Sequence, residues 1–264
     1  MSRLVVEKRT AWMTLGTAAT VVVLLFAGAV AWTWLSPKRT DEDRQSYRQA
    51  VARVHLDSNA GDITVSPGEP GVVTVEHRLA WSSLRKPTVE RTWSGDTLTI
   101  TGRCPRTGLK FGLGSDCTMD YVLTVPPDVT LDLRTEAGSV RVSDLTGEMR
   151  LAASAGDITA ENVSGPLWAR ADSGQITGTG LRSDTTDVEI DSGDVELSYA
   201  EAPPSVSAVA SAGDVVIALP AGAYKVTAEA ASGDERVGVT TDPAATSAVT
   251  ARTSAGDVTI QYTT

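Results

Sequence analysis

The sequence predicts an all-β fold: a β-helix-like solenoid ectodomain with single-stranded rungs and an irregular β cap at its N-terminal end, preceded by one transmembrane helix. Three observations carry this prediction. A Ser-x-Gly-Asp-Val/Ile pattern recurs along the chain, its copies are evenly spaced, and apolar residues alternate with polar ones on both sides of each copy. A fixed period of this kind is typical of one supersecondary unit stacked on copies of itself. The glycines of the pattern, 18 to 23 residues apart, are Gly138, Gly156, Gly174, Gly193, Gly213, Gly233 and Gly256.

The chain begins with a predicted cytoplasmic stub, residues 1–10, and a predicted transmembrane helix, residues 11–35. The predicted helix contains no charged side chain. A helix of this length spans about 37 Å, which exceeds the roughly 30 Å of a bilayer's hydrocarbon core. Trp12 lies near one end, and Trp32 and Trp34 near the other, as interfacial aromatic residues do. We therefore expect a single membrane span.

The same apolar run has a second interpretation, as a cleavable secretory signal. Ala29-Val30-Ala31 has the small-x-small form that a signal peptidase accepts. The run is long for a signal and aromatic residues crowd the cleavage position, so a retained anchor is favoured. Basic residues flank the run on both sides, and the charge bias therefore does not fix its orientation.

The segment between the span and the repeats has two predicted parts. Residues 36–50 are highly charged and are predicted as a short helix or a solvated tether. Residues 51–127 are predicted as an N-terminal β cap that covers the unpaired edge of the first rung. Within this cap, Ser94-Gly95-Asp96 predicts a hairpin turn. The strand Tyr121-Val122-Leu123-Thr124-Val125 should end at Pro126-Pro127, because proline donates no hydrogen bond to a sheet.

The predicted cap contains the chain's two cysteines, Cys104 and Cys117. A disulfide between them would close a loop of about 14 residues and stabilise the fold by about 3 kcal/mol in the chain-entropy model. Such bonds persist outside the cytoplasm, so the pair places the C-terminal domain on the extracytoplasmic side. The alternative is two free thiols in a cytosolic domain.

Residues 128–264 are predicted as the β-solenoid repeats. In residues 186–200, Val188 and Ile190 alternate with polar neighbours before the Gly-Asp step, and Val195 and Leu197 alternate after it. Each repeat thus offers two short strands joined by a bend, and seven rungs at about 4.8 Å would extend about 30 Å. The alternative is a β-sandwich with evenly spaced turns, but a sandwich has no reason to repeat the same turn residues. The predicted inward positions include small residues, namely Ala152, Ala169, Ala171 and Ala208.

The bend residues are predicted to have a structural role. Glycine supplies the positive φ of a sharp bend, and an adjacent aspartate caps backbone amides. The alternative is that carboxylates stacked about 5 Å apart bind calcium or hydrolyse a glycan. Ser139 and Gln175 interrupt the aspartate series, and the nonapeptide pattern of calcium-binding solenoids is missing, so we expect no metal and no cofactor. The aspartates assigned this structural role are Asp157, Asp194, Asp214 and Asp257.

Composition argues against two classes of function. The net charge of −10 disfavours a nucleic-acid partner, because little would neutralise the phosphates. Only two histidines occur, His55 and His77, and both lie at predicted strand positions far from the repeats, so a Ser-His-Asp relay or a zinc site lacks parts. We therefore predict a protein that is not an enzyme.

Several of these motifs together resemble a bacterial family of "putative adhesins", DUF4097. The likeness rests on a membrane span, the run D-T-L-T-I at Asp96–Ile100, the run Y-V-L-T-V-P-P at Tyr121–Pro127, and the serial Ser-x-Gly-Asp repeats. It covers most of residues 50–264. The resemblance implies a β-solenoid at the cell surface and no established enzymatic activity. Members of such families often accompany envelope-stress signalling systems.

Two hypotheses of function follow. The first is a membrane-anchored module at the cell surface that binds envelope or surface polymers, such as cell-wall glycan, through the polar faces of the solenoid. The alternative is an extracytoplasmic regulatory or accessory subunit that touches a neighbouring membrane protein of an envelope-stress system. A third, structural possibility is lateral assembly through an open C-terminal edge at residues 259–262.

Overall fold

The structure, a computed structural model, describes residues 39–82, 85–105 and 117–263, with Val23, Leu24 and Gly28 as isolated positions. Apart from those three positions, the predicted stub and the predicted span at 11–35 lie outside the described residues. No helix in the described part of the chain combines the length and apolar character that crossing a bilayer requires.

The described residues form strands that belong to two facing sheets. Most strands are four to nine residues long, and the two shortest lie near the C-terminus. The strands, numbered in chain order, are β1 (Arg39–Tyr47), β2 (Arg53–Ser58), β3 (Ile63–Pro67), β4 (Val73–Trp81), β5 (Thr88–Ser94), β6 (Thr97–Arg103), β7 (Cys117–Val125), β8 (Thr130–Ala137), β9 (Val140–Ser143), β10 (Met149–Ala155), β11 (Ile158–Glu161), β12 (Leu167–Ser173), β13 (Ile176–Leu181), β14 (Thr185–Ser192), β15 (Val195–Tyr199), β16 (Ser205–Ala212), β17 (Val215–Leu219), β18 (Ala223–Ala230), β19 (Glu235–Val237), β20 (Thr240–Thr241), β21 (Ala248–Ala255) and β22 (Val258–Tyr262).

Each sheet contains eleven strands, and most neighbours run parallel. Sheet I has the order β1-β4-β7-β3-β9-β11-β13-β15-β17-β22-β19, and sheet II has the order β20-β18-β21-β16-β14-β12-β10-β8-β2-β6-β5. Only the outermost strands at the N-terminal end pair antiparallel: β1 with β4, β4 with β7, and β5 with β6. Parallel neighbours cannot be joined by tight hairpins, so this pairing is that of a stack of rungs and not of an antiparallel sandwich.

A rung of this stack contains two strands, one in each sheet. In the rung formed by β10 and β11, the chain leaves sheet II at Ala155, bends at Gly156 and enters sheet I at Ile158. The prediction of single-stranded rungs is therefore wrong, because in the repeats the glycine bend carries the chain from one sheet to the other within each rung. The predicted solenoid-like stacking of parallel strands is confirmed.

The core lies between the two sheets and consists of aligned apolar columns. One column in sheet I joins equivalent residues of successive rungs, each at most 2% exposed. Ala169, Ala171 and Ala208 are buried as predicted. Ala152 is not: Leu151 and Ala153 point inward, so Ala152 faces outward between them. The column contains Val140, Ile158, Ile176, Val195, Val215 and Val258.

The order of rungs in space departs from the order in sequence at both ends. The first rung of the chain, β2 and β3, lies between the rung of β6 and β7 and the rung of β8 and β9. The last rung, β21 and β22, lies between the rung of β16 and β17 and the rung of β18 and β19. Both ends of the stack are therefore built by segments that loop outward and return.

This arrangement corrects three sequence-based expectations. Much of the predicted cap, 51–127, belongs to the regular stack, and only β4 and β5 of that region pair antiparallel over the end. The predicted helix or tether, 36–50, contains strand β1, which pairs with β4 along its whole length. The predicted open edge at residues 259–262 is covered in its first half, because β19 pairs with β22 over Val258–Ile260.

Candidate functional site

The glycine bends lie in one column along the stack. At Gly156, φ is 143°, a conformation that side chains with a Cβ rarely adopt. A Cβ at this position would also lie 2.1 Å from the carbonyl oxygen of Gly138 in the neighbouring rung. The bend thus requires glycine for its backbone conformation and for its close contact with the next bend. The same contact with the preceding glycine of the stack recurs at Gly138, Gly174, Gly193, Gly213, Gly256 and Gly233.

The aspartates of the bends hold the neighbouring rung. Asp194 accepts a hydrogen bond through Oδ1 from the backbone N–H of Asp214 at 2.9 Å, and Asp214 accepts one from Asp257 at 2.8 Å. Asp257 accepts in turn from Asp234 at 2.9 Å, and this bond, assisted by Arg236, lowers the pKa of Asp257. The sequence suggested caps of local amides; the observed caps act between rungs.

The interruptions of the aspartate series fit the same scheme. Asp157 accepts from the N–H of Gln175 at 3.0 Å, and Ser139 accepts through Oγ from the N–H of Asp157 at 3.3 Å. Asp62 of the first rung accepts from the N–H of Ser139 at 2.8 Å. Within the described ranges, no three histidine, cysteine or acidic side chains are grouped so that they could hold a metal ion. The bend residues of successive rungs therefore form a hydrogen-bonded seam along the stack.

A disulfide joins Cys104, just after β6, to Cys117 at the start of β7. Asn59 fastens the same corner: its Oδ1 accepts from the N–H of Cys104 at 2.7 Å, and its Nδ2 donates to the carbonyl of Cys104 at 3.2 Å. Because β6 and β7 form one rung, this corner replaces the Gly-Asp bend used elsewhere. The disulfide has a structural place here, at the N-terminal end of the stack.

The two histidines have different surroundings. His55 lies on the outer face of sheet II, with Nδ1 at 3.1 Å from a carboxylate oxygen of Asp132. His77 faces the core, where Arg91 of β5 reaches across from the other sheet and donates to its Nδ1 at 2.6 Å. Arg91 also donates to Asp43 at 2.9 Å. Burial, followed by the charge of Arg91, lowers the pKa of His77.

His77, Arg91 and Asp43 thus form a charged layer that closes the N-terminal end of the core. Sequence reasoning missed this layer, because its three residues lie on different strands, β4, β5 and β1, and only the fold brings them together. Tyr121 lies beside the layer, its ring centroid 6.2 Å from that of His77, and burial raises the pKa of Tyr121 to about 12.

Shallow depressions lie near both ends of the stack. One, of about 340 Å³, is on the outer face of sheet I, where Arg44 pairs with Glu76 and Arg78 with Glu42 around Val122. The other, of about 450 Å³, lies at the C-terminal end of the stack and is lined by residues of β18, β19 and the segment around β20. The first is also lined by His77 and by the carboxylates of Asp43 and Asp120; Glu42, Glu76 and Asp43 are each engaged in an ion pair with an arginine.

The outer face of sheet II is a mostly polar surface that extends along the stack. Its outward side chains form two rows, because parallel strands align equivalent residues. The Trp168 row contains Thr92, Thr99, His55, Asp132, Arg150, Trp168, Asp187, Ser207, Thr250 and Thr227. The Ala152 row contains Glu90, Thr101, Asp57, Arg134, Ala152, Arg170, Glu189, Val209, Arg252 and Glu229.

Sequence reasoning missed the outward position of Trp168. The signal was present, because Trp168 stands between Leu167 and Ala169, both inward by the period-two alternation. Arg150 of the adjacent rung places its guanidinium carbon 5.2 Å from the centroid of the indole. This is an aromatic side chain on a flat polar face, within contact of an exposed cation.

Comparison with known proteins gives a family match over most of the chain. The family model described as Toastrack DUF4097 matches residues 51–264. None of the curated proteins compared matches the chain.

Several solved structures are similar at low identity. A "putative adhesin" from Bacteroides fragilis is 11% identical, covers 84% of this chain and 97% of its own, and has a TM-score of 0.46. A "putative adhesin" from Parabacteroides distasonis is 12% identical, with coverages of 84% and 98% and a TM-score of 0.44. A "putative lipid binding protein" from the same species is 12% identical, with coverages of 85% and 97% and a TM-score of 0.32.

Proposed function

Because the chain belongs to the Toastrack DUF4097 family, we propose that it is a non-enzymatic binding module at the cell surface. Its N-terminal span, residues 11–35, anchors it in the membrane, and the β-stack lies outside the cytoplasm. The ligands are envelope or surface polymers, with cell-wall glycan as the leading class. One observation supports this most directly: two rows of mostly polar side chains cross the outer face of sheet II from β5 to β18.

A long flat face suits a long repeating ligand. Parallel rungs repeat at about 4.8 Å, so similar side chains recur at a constant distance along each row. Deep clefts suit small molecules, which must be largely enclosed to bind well. The rows also mix arginines with carboxylates, which gives both donors and acceptors for hydroxyl groups.

The test is co-sedimentation of the purified full chain with insoluble envelope polymers. The panel contains peptidoglycan sacculi, wall polysaccharide and whole cells stripped of surface protein. We expect saturable binding to at least one of them. The full chain is needed because a fragment starting at residue 51 would remove β1 and expose the edge of β4. Failure to bind any member of the panel would contradict the proposal.

The second candidate is a regulatory subunit of an envelope-stress system. It is favoured by the position of β1, whose first residue, Arg39, comes four positions after the predicted span and whose outer side pairs with no other described strand. A neighbouring membrane protein could contact this strand. If the contact is made by the span next to this strand, replacing residues 11–35 by an unrelated span should abolish the stress response while surface display persists. An unchanged response would remove the membrane contact from consideration.

A further inference from the structure

Trp168 is the one aromatic side chain that faces outward among the described residues 128–263. This range contains four aromatic residues. Tyr199 and Tyr224 are buried, and Tyr262 shares the inward alternation of Val258 and Ile260. At the position of Trp168, every other rung of the range carries a polar side chain, as the Trp168 row shows. An aromatic residue at this place is not needed for the core.

The surface beside Trp168 is depressed at one small residue and bordered by longer polar side chains. Ala152 lies between Arg134 and Arg170 in the next row, and its small side chain leaves space above the sheet. Arg150 lies on the same strand as Ala152 and contacts the indole of Trp168. Three arginines and one indole therefore surround one alanine.

The three arginines are placed by ion pairs on the surface. Arg134 lies 3.2 Å from Asp132, and Arg170 lies 3.2 Å from Glu189. Arg150 lies 3.0 Å from an oxygen of Glu148. The arginine side chains are 59–61% exposed, so water screens these pairs strongly and a ligand can exchange hydrogen bonds with them at low cost.

The chemistry of this group fits a sugar. An indole face accepts the apolar C–H face of a pyranose ring, and adjacent guanidinium and carboxylate groups donate to and accept from its hydroxyls. Each arginine has an acidic partner, so the local charge is balanced and offers no attraction for a polyanion. An uncharged ring is therefore favoured over a uronate or a phosphate.

We propose that Trp168, Arg150, Arg134, Arg170 and Glu189, arranged around Ala152, form a binding site for an uncharged pyranose polymer. This inference rests on the proposed function and names the ligand class and the place of binding. The polymer lies along the rows, with one ring over Ala152 and Trp168 and neighbouring rings over adjacent rungs. The site needs no moving part, because its side chains project from paired strands of sheet II.

Biolayer interferometry of the purified full chain tests the proposal. The probes are immobilised cellohexaose, chitohexaose and polygalacturonate, the last as the anionic probe. Trp168→Ala should weaken binding to an uncharged probe about tenfold or more. Trp168→Tyr keeps an aromatic face and should stay within about threefold of wild type. Val122→Ala is the matched control, since Val122 is an exposed apolar residue on the outer face of the other sheet, away from the rows, and it should bind like wild type.

The outcomes separate the site from the function. If the wild type and Trp168→Ala bind an uncharged probe equally, the site is wrong while the binding module stands. If Trp168→Ala lowers only the melting temperature, the stack of Arg150 on Trp168 is structural and the site is again wrong. Binding to polygalacturonate alone would overturn the uncharged ligand class. If neither these probes nor the envelope panel bind, the proposed function fails together with the site.

Discussion

The middle of the stack and its two ends differ in how their strands are paired and their core is closed. In the middle, every strand pairs with a strand on each side, and every bend rests on the bend of the next rung. At the N-terminal end, antiparallel strands β1 and β5 and the half-buried Arg91 close the core. At the C-terminal end, the rungs taper to β19 and β20, three and two residues long.

The difference explains where the sequence repeat is strict. A bend between two others must have glycine and profits from a carboxylate, because both groups act on the neighbouring rung. At the N-terminal end, the rung of β6 and β7 is turned by the corner at Cys104 and Cys117 instead. At the C-terminal end, Pro243 follows the truncated β20, and proline cannot continue a ladder. Short edges of this kind also limit strand addition by other chains.

The largest effect should come from a substitution in the central glycine column. Gly156→Ala places a Cβ at positive φ and 2.1 Å from the carbonyl oxygen of Gly138, and backbone atoms on both sides prevent relaxation. We expect a loss of about 3 kcal/mol or more in the free energy of unfolding, measured by urea denaturation.

Two other glycines provide a comparison for the loss of stability expected from Gly156→Ala. Gly71 also has positive φ, 73°, but a Cβ there meets no atom within 4 Å, so Gly71→Ala should cost about 1 kcal/mol. Gly233 contacts only the rung of Gly256, and its own rung is outermost, so Gly233→Ala should fall between the two. Equal losses for Gly156→Ala and Gly71→Ala would show that contact between bends contributes nothing.

The next effect concerns the charged layer at the N-terminal end and depends on pH. His77 accepts a hydrogen bond from Arg91 through Nδ1, which requires the neutral ring. Burial and Arg91 lower its pKa in the folded state, while Asp43 and Asp41 oppose the shift. The unfolded chain therefore binds more protons than the folded chain once the pH falls below about 6.5.

Stability should be full above that pH and decrease as the pH drops toward the folded-state pKa of His77. Urea denaturation at several pH values between about 8 and 5 measures it. His77→Asn keeps a hydrogen-bonding side chain without the titration, and its stability should vary less over the same interval. A variant as sensitive to pH as wild type would remove His77 from the explanation.

The regions probed by these two predictions also differ in how much of their structure could be predicted from the sequence. The glycine and aspartate periodicity specified the parallel stack and the bend positions, because each copy makes the same contacts with its neighbours. It could not specify the exchange of rung order at the ends, since β2 and β21 carry the same local pattern wherever they are inserted. Nor could it place β1, whose charged sequence pairs as an edge strand with a solvated side.

The candidate site also has one part that the sequence predicts and one part that it does not. The outward position of Trp168 could be read from the alternation around it. Its neighbours could not, because the contact with Arg150 and the gap at Ala152 depend on the register between rungs. One misassigned residue, Ala152, was enough to hide the arginines around it.

A smaller effect is expected from the aspartate seam. Asp214→Ala removes the acceptor for the N–H of Asp257, an exposed bond, and should cost about 1 kcal/mol in urea denaturation. Asp214→Asn keeps a side-chain oxygen and should recover most of the loss. If the two variants are equally destabilised, the carboxylate acts through its charge and not as a cap for the neighbouring rung.

The smallest effect should come from Val237 in β19, the outermost strand of sheet I at the C-terminal end of the stack. Val237 of β19 is 40% exposed and pairs only on the side of Ile260, so little apolar surface is lost when it is shortened. Val237→Ala should change the free energy of unfolding by less than about 0.5 kcal/mol. Val258 of the neighbouring strand β22 is also valine but is fully buried between two rungs, and Val258→Ala should cost about 2 kcal/mol or more. Similar losses at both positions would mean that another molecule covers β19 in solution. Only then would Val237 be buried enough for its truncation to lower the free energy of unfolding as much as that of Val258.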